Sequence, residues 1–132
     1  MFTVLVAGSR TYNDYEEFVK IMDKVLANQT EVSIVSGGAK GADSLAEAYA
    51  AARHIPIKVM HADWDKYGKS AGYKRNEEMH KYLAQSADRG CILFWDMASK
   101  GTAHSIPLAE KYNTPLRIWD TVHKKFVRKE MK

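Results

Sequence analysis

The chain has 132 residues, of which 45% are apolar and 27% charged, and it contains one cysteine. That length is typical of a single domain with a substantial core, and one cysteine excludes an internal disulfide framework and a cysteine metal cluster. No apolar stretch approaches the ~20 residues needed to span a bilayer and no signal peptide is visible, so we expect a cytoplasmic protein without a membrane partner.

The formal net charge of +4 is concentrated at the carboxyl end of the chain. Residues 121–132 hold five basic side chains and one acidic side chain, which leaves residues 1–120 neutral. We therefore expect a domain at 1–120 followed by a basic C-terminal tail at 121–132. Such a tail is usually solvated, and a neutral body argues against a nucleic-acid-binding face.

Strand patterns and helix patterns alternate along the chain. Residues 2–7 are predicted as a buried strand, and Asn13 or Asp14 can cap the helix that follows. A second strand at 32–35 leads into a helix at 42–53. The residues of that helix expected to face the sheet are Leu45, Ala48, Tyr49 and Ala52. The later elements are predicted as a strand at 57–60, a loop at 63–72, a helix at 73–84, a strand at 91–95, a helix at 101–112 and a strand at 116–119.

Strands that alternate with helices indicate right-handed βαβ units and a parallel sheet. We therefore predict an α/β fold, a Rossmann-like three-layer sandwich with a mainly parallel sheet of about five strands and helices on both faces. In such a sheet the turns that follow the strands meet at one edge, and ligands bind there.

The most informative of these turns is the glycine loop between the second strand and the second helix. Gly37, Gly38 and Gly41, with Ala39 between them, let the backbone approach an anion, and the helix N-terminus that follows offers free N–H groups. The loop lacks the endings of the P-loop and of the dinucleotide fingerprint, so a tight turn without a ligand is the alternative. Asp43 is either a helix N-terminal carboxylate favoured by the dipole or an acceptor for ribose hydroxyl groups.

Two further turns combine a glycine with a cation. Arg10 can fork onto a phosphate or carboxylate, or it pairs with Asp14 or Asp43. Thr102 either donates to a phosphate or caps its helix. The two turns are Gly8-Ser9-Arg10, after the first strand, and Lys100-Gly101-Thr102, after the fourth.

The segment after the third strand places aromatic side chains beside cations. Trp64 and Tyr67 can stack on a base, Arg75 can meet a phosphate, and Asn76 can read a base edge or a ribose hydroxyl. The alternative is a loop whose aromatic side chains cover the core. The histidines lack a convincing metal-ligand spacing with acids, so we expect no metal site and no cofactor.

These motifs, in this order, resemble the YspA-like family of the SLOG superfamily, which also contains the Lonely Guy and DNA-processing protein A groups. The resemblance covers about residues 1–119, and the family includes phage-encoded members. It implies a Rossmann-like fold that binds nucleotides or nucleotide-derived ligands. The motifs that carry it are Gly8-Ser9-Arg10, the stretch from Gly37 to Asp43, the stretch from Trp64 to Asn76, and Lys100-Gly101-Thr102.

The resemblance also bears on catalysis. Lonely Guy enzymes cleave the N-glycosidic bond of nucleoside monophosphates with an Arg and with a Glu in a Pro-Gly-Gly-x-Gly-Thr-x-x-Glu motif. Here Ser105 stands where that Glu would be, so a hydrolase would need another carboxylate, such as Asp43, Glu77 or Asp96.

Our first hypothesis is therefore a protein that binds a nucleotide or nucleotide-derived small molecule, ADP-ribose-like or a signalling nucleotide, as a sensor or as a sequestering protein. The alternatives are a nucleotide hydrolase that cleaves an N-glycosidic or phosphate-linked bond, and a nucleic-acid-binding module that acts through the basic tail. The aromatic content leaves room for a homodimer or a higher homo-oligomer.

Overall fold

In the computed structural model, which describes residues 1–127, strands and helices alternate as the sequence predicts. The strands are β1 (Phe2–Gly8), β2 (Val32–Ser36), β3 (Ile57–Val59), β4 (Arg89–Trp95), β5 (Leu116–Asp120) and β6 (Lys125–Phe126). The α-helices are α1 (Tyr15–Val25), α2 (Ala42–Arg53), α3 (Trp64–Tyr67), α4 (Ala71–Leu83) and α5 (Lys100–Lys111), with a 3₁₀ turn at Gly68–Ser70.

The six strands form one sheet in the order β3-β2-β1-β4-β5-β6. Five of them pair in parallel, and β6 adds to the edge as an antiparallel hairpin partner of β5. The chain reverses direction across the sheet between β1 and β4, as in doubly wound sheets, so the crevice at their carboxyl ends is the expected ligand site. The predicted Rossmann-like fold class is confirmed.

Helices cover both faces of the sheet, and alternate residues of each strand face opposite cores. Val4 and Phe94 pack with Phe18 in the core beneath α1 and α2. On the other face, Leu5 packs with Met79 in the core beneath α4. No helix within residues 1–127 has the length and apolar character needed to cross a membrane.

The segment at 63–72, predicted as a loop, is helical, so that prediction is wrong. Asp63 caps α3, because its side chain accepts the Lys66 N–H at 3.1 Å. Gly68, at a φ of 56°, then redirects the chain into the 3₁₀ turn that leads directly into α4. The polar and aromatic composition of this segment is typical of a loop, but the Asp63 cap and the conformation of Gly68 stabilise two short helical turns.

The inward face of α2 also differs from the prediction. Ala48 and Ala52 are exposed, and Leu45 is half-buried. The buried side chains of α2 are Ala42, Asp43, Ala46, Tyr49 and Ala50. Small side chains on this face bring the helix close to the sheet, and Asp43 is carried into the protein with them.

The first residues of the predicted basic tail belong to the sheet. Residues 121–124 form the turn after β5, and Lys125 and Phe126 form β6. The ammonium group of Lys124 lies 3.0 Å from Glu17 Oε2 on α1, which ties this turn to the body of the fold. The remainder of the predicted tail, residues 128–132, lies outside the described residues.

Candidate ligand-binding cleft

A cleft of about 440 Å³ opens at the carboxyl edge of the sheet, where β1 and β4 end. It lies between the turn after β1, the glycine loop before α2, the α3–α4 segment and the start of α5. We call it the first chamber. The predicted site residues that line it are Gly8, Ser9, Arg10, Ala39, Asp43, Trp64, Arg75, Asn76, Lys100, Gly101 and Thr102.

A second cavity of about 510 Å³ adjoins the first, and we call it the second chamber. The two cavities are joined through Arg10, Ala39, Trp64 and Arg75, which line both. Of the predicted site residues, Gly41 and Tyr67 line neither chamber. The residues that line the second chamber alone are Gly37, Gly38, Lys40, Ser44, His61 and Ala62.

Arg75, on the first turns of α4, is fixed by the glycine loop and by its neighbour Asn76 on the same helix. Its Nη1 donates to the carbonyl oxygen of Gly37 at 2.5 Å, and its Nε donates to Asn76 Oδ1 at 3.0 Å. Asn76 in turn donates to the carbonyl of Gly101 at 3.3 Å. Burial lowers the pKa of the Arg75 guanidinium while the nearby Asp43 opposes that change, and an arginine remains charged throughout the physiological range.

Asp43 is buried beside Arg75 and braces the glycine loop. Its Oδ2 accepts the backbone N–H of Ala39 at 3.1 Å. Its Oδ1 is buried and, within residues 1–127, has no hydrogen-bond partner. Burial raises the pKa of the Asp43 carboxyl, and the Ala39 N–H and the charge of Arg75 offset part of that rise. One oxygen of Asp43 therefore accepts a hydrogen bond that holds the glycine loop, and the other oxygen accepts none within residues 1–127.

Gly41 lies outside both chambers and packs against the backbone of the turn after β1. It has a φ of 75°, and its α-carbon packs against the backbone of Ser9 and Arg10, where a side chain would overlap the Ser9 carbonyl oxygen. Gly38, at a φ of 68°, packs against the His61 ring in a similar way. Both glycines are therefore required by backbone conformation and by close packing inside the protein.

Ser9 joins the turn after β1 to the turn after β4. Its hydroxyl oxygen accepts the backbone N–H of Asp96 at 3.0 Å and lies 3.2 Å from the hydroxyl of Ser99. Ser99 also donates to Asp96 Oδ2 at 2.9 Å, and Asp96 Oδ1 accepts the N–H groups of Ala98 and Ser99. Partial burial acts to raise the pKa of Asp96, but these hydrogen bonds outweigh it and lower the pKa. The network fixes the entry to α5.

The first turn of α5 faces the first chamber. Ser99, rather than Thr102, is the N-cap residue, and its side chain makes no capping hydrogen bond. Lys100, Gly101 and Thr102 form the first helical turn and line the cavity. The N–H groups of a first helical turn have no partner inside the helix and carry its positive partial charge. No atom would contact a side chain added at Gly101, so the approach to this turn is open.

Arg10 is exposed and unpaired. Within the described part of the chain, its guanidinium makes neither a hydrogen bond nor an ion pair, so the predicted pairing with Asp14 or Asp43 is absent. Its charge acts on Arg75 and contributes to the lowered pKa of that residue. Two guanidinium groups therefore meet at the junction of the two chambers, and an anion between them would relieve their repulsion.

The two aromatic side chains predicted to stack on a ligand are separated by the fold. Trp64 is 51% exposed and lines both chambers. Tyr67 lies outside the cavities, where the ammonium groups of Lys66 and Lys74 are 5.1 Å and 4.8 Å from its ring centroid. Tyr67 is a cation–π partner for surface lysines, and Trp64 is the aromatic side chain of the pair that a ligand can reach.

Sequence reasoning missed several residues of the cavity lining. Tyr73, on the first turn of α4, is 45% exposed and packs edge-on against His104. Ser99 precedes α5 and lines the first chamber. The available signal was the neighbouring motif, because Tyr73 lies inside the stretch from Trp64 to Asn76 and Ser99 directly precedes Lys100. Asp96, predicted as a hydrolase candidate, also lines the first chamber. The other lining residues that were not among the predicted binding residues are Ala7, Thr11, Lys69, Gly72, Met79 and Ser105.

A larger groove of about 600 Å³ lies at the opposite edge of the sheet and is lined by Asp23, Arg53 and neighbouring residues. Its arginine is already paired with Asp23 at 2.7 Å, and no helix N-terminus faces it. Residues 1–127 contain no group of three histidine, cysteine, aspartate or glutamate side chains placed to hold a metal ion. The first and second chambers differ from this groove, because they are lined by Arg10, which has no ion pair within residues 1–127, and by first-turn residues of α2 and α5.

Comparison with known proteins identifies the family. Residues 2–67 match the model of the YspA, cpYpsA-related SLOG family. A second match is the gene 61 protein of Mycobacterium phage D29, which is 32% identical over 122 residues and aligns with 88% of this chain and 94% of the phage protein. The chain belongs to the YspA, cpYpsA-related SLOG family. The resemblance predicted from the motifs is confirmed.

The fold of this family member is similar to a solved structure of DNA processing protein A from Helicobacter pylori, a protein studied for its single-stranded DNA binding mode. The TM-score is 0.64 at 21% sequence identity, and the similarity covers 89% of this chain. The chain spans 64% of the length of that structure. At this identity the similarity establishes the Rossmann-like fold of the SLOG domain.

The three carboxylates predicted as hydrolase candidates have different surroundings in this SLOG domain. Asp43 and Asp96 line the first chamber, whereas Glu77 lies outside it and accepts hydrogen bonds from Tyr112 at 2.5 Å and from Lys111 at 3.0 Å. Ser105 is buried at the wall of the first chamber.

Proposed function

We propose that this protein binds a nucleotide-type ligand in the first chamber and acts as a sensor or a sequestering protein. The observation that carries the proposal is the convergence of Arg10, Arg75 and the first turn of α5 on one cavity. Charge-assisted hydrogen bonds from guanidinium groups and N–H groups at a helix start are the donors that proteins use for phosphate.

The arrangement supports a phosphate that lies near Gly101. The open space beside this glycine allows a phosphate oxygen to reach the N–H groups of the first α5 turn. Arg75 is held by Gly37 and Asn76 before a ligand arrives, so little conformational entropy is lost when it contacts an anion.

Trp64 supports the nucleoside part of the proposal. Half of its surface is exposed although it lines two cavities, and such a side chain gains contact area when a base stacks on it. Stacking of a base on an aromatic side chain contributes about 1–3 kcal/mol. Asp43 lines the same chamber, and its carboxylate is a candidate acceptor for a ribose hydroxyl.

The surroundings of the three candidate carboxylates favour a protein that binds its ligand without cleaving it. A general base must be free to accept a proton at the reacting atoms. Asp96 uses both oxygens in the network that fixes α5, and Glu77 is paired outside the cavity. Asp43 is the carboxylate on which a hydrolase activity would depend, and product analysis tests that alternative.

A second candidate function is single-stranded nucleic acid binding. Two observations favour it: the structural similarity to DNA processing protein A, and the exposed aromatic and basic side chains at the rim of the first chamber. These rim residues are Trp64, Lys69, Tyr73 and Lys100. Stacking platforms beside lysines bind single strands with little sequence preference and with strong salt dependence.

A thermal-shift screen with AMP, ADP-ribose, cyclic dinucleotides and an oligothymidylate, followed by calorimetry and chromatography of each mixture, tests these functions. A stabilising nucleotide recovered intact supports the proposal, and a nucleotide recovered as products supports the hydrolase. Binding of the oligothymidylate alone, with affinity that falls steeply as salt is raised, would overturn the proposal in favour of nucleic acid binding.

A further inference from the structure

The second chamber has a chemistry of its own. No carboxylate lines it, and three cations, Arg10, Lys40 and Arg75, stand at its wall. The hydroxyl of Ser44 donates to the Ala39 carbonyl at 3.1 Å and keeps lone pairs for a further donor. The His61 imidazole packs against Gly38. Such a lining suits a group that carries hydroxyls or a further phosphate.

The two chambers meet at charged residues. Arg10 and Arg75 line both cavities, and the charge of Arg10 acts on Arg75. Arg10 has no hydrogen bond or ion pair within residues 1–127, so its donors are available at this junction. An anion at the junction would contact both guanidinium groups and would lie between the two cavities.

Each of the two cavities is large enough to hold a small molecule by itself. The chambers measure about 440 Å³ and about 510 Å³, and each alone falls within the range of about 300–1,000 Å³ that is usual for small-molecule sites. A mononucleotide held in the first chamber, with its phosphate at Arg75, leaves the second chamber unfilled.

The geometry points to a ligand with two ribose-containing halves joined through one or two phosphates, which binds with one half in each chamber and its bridging phosphate between Arg10 and Arg75. This inference rests on the proposed nucleotide-binding function and extends it to the second chamber. A phosphodiester-linked dinucleotide and a pyrophosphate-linked ADP-ribose share this chemistry, and the experiment separates them.

The test is calorimetry of the full chain with AMP, ADP-ribose and the dinucleoside monophosphate ApA. We expect ADP-ribose or ApA to bind at least tenfold more tightly than AMP, and the tighter of the two identifies the bridge. Lys40→Ala and His61→Ala should reduce that preference to less than threefold, because they remove contacts to the second half of the ligand. Lys20→Ala, at an exposed α1 residue that lines neither chamber, is the matched control and should behave as wild type.

Equal affinity for AMP and for both two-part ligands would overturn the inference and leave the proposed function standing. The same conclusion follows if Lys40→Ala and His61→Ala weaken AMP and ADP-ribose to the same degree, since the second chamber would then have no selective role. Failure of all three compounds to bind would overturn the proposed function as well. Thermal unfolding of each variant separates lost contacts from lost folding.

Discussion

The guanidinium group of Arg75 packs directly against the α-carbon of Gly37. A Cβ at Gly37 would lie 2.6 Å from Arg75 Nη1 and 3.0 Å from Asp43 Oδ2, and the Gly37 carbonyl accepts the Arg75 hydrogen bond. The glycine loop therefore supports the half-buried Arg75 and also gives an anion a close approach to the backbone. Gly37 therefore affects the candidate ligand site through Arg75, whereas Gly41 contacts backbone and affects the stability of the fold.

Gly37→Ala and Gly41→Ala should have different effects. At Gly37 the nearest obstacle is the end of a flexible side chain, so Arg75 moves and nucleotide affinity falls at least tenfold, about 1.4 kcal/mol, with little loss of stability. At Gly41 a positive φ and contact with the Ser9 backbone make the fold less stable by about 1–3 kcal/mol. Urea unfolding and calorimetry of both variants measure the difference. A Gly37→Ala variant with wild-type affinity would contradict the role given to Arg75.

Arg10→Ala should weaken ligand binding without changing stability, because the side chain is exposed and makes no bond in the described part of the protein. The expected loss is about 1.5–3 kcal/mol for one charge-assisted hydrogen bond. Arg117→Ala, at an exposed position on β5 that lines neither chamber, is the matched control. Isothermal calorimetry gives the affinities, and unchanged binding by Arg10→Ala would remove Arg10 from the site.

Ser9→Ala should affect both stability and binding. The serine is buried, and its loss leaves the Asp96 N–H without its acceptor and frees the turn before α5. We expect a loss of about 1–3 kcal/mol in the free energy of unfolding, the usual cost of an unsatisfied buried group, together with weaker phosphate binding at the first α5 turn. Ser70→Ala, at an exposed serine in the 3₁₀ turn, provides the control. Chemical denaturation showing two equally stable variants would rule out a bracing role for Ser9.

His80 should make stability depend on pH. It is fully buried on α4, neither ring nitrogen has a hydrogen-bond partner within residues 1–127, and burial lowers its pKa from 6.5 to about 4, with a further contribution from His104. Because the unfolded chain binds the proton first, stability should fall as pH drops from 6.5 towards 4 and level off below that. The histidine accounts for roughly 2–4 kcal/mol of this fall.

Urea unfolding of wild type and His80→Phe between pH 4 and pH 7 measures this effect. The phenylalanine has similar volume and does not titrate, so the difference between the two curves isolates the histidine from the carboxylates. The wild-type curve should be steeper between pH 4 and 6.5. Parallel curves would mean that His80 gains a partner or solvent when it is protonated.

Much of the fold and part of the site could be predicted from the sequence. The alternation of strands and helices, the strand-end glycines and the Asp14 cap are local patterns, and α2 was predicted with its observed bounds. The helical turns at 63–70 were missed because Asp63 and Gly68 define them within a polar and aromatic segment. The inward face of α2 was misjudged because burial there selects small side chains, which have a weak hydrophobic signal.

The sequence by itself determined that glycine-bearing turns follow the parallel strands, because the order of elements along a chain is a local property that brings such turns to one edge. Tertiary structure decided which side chains meet there. Trp64 enters the cavity while Tyr67 turns towards lysines, Glu77 pairs outside, and Asp43 is carried inside. These outcomes depend on helix rotation and on contacts between residues far apart in the chain, for which hydrophobic periodicity and motif spacing contain no information.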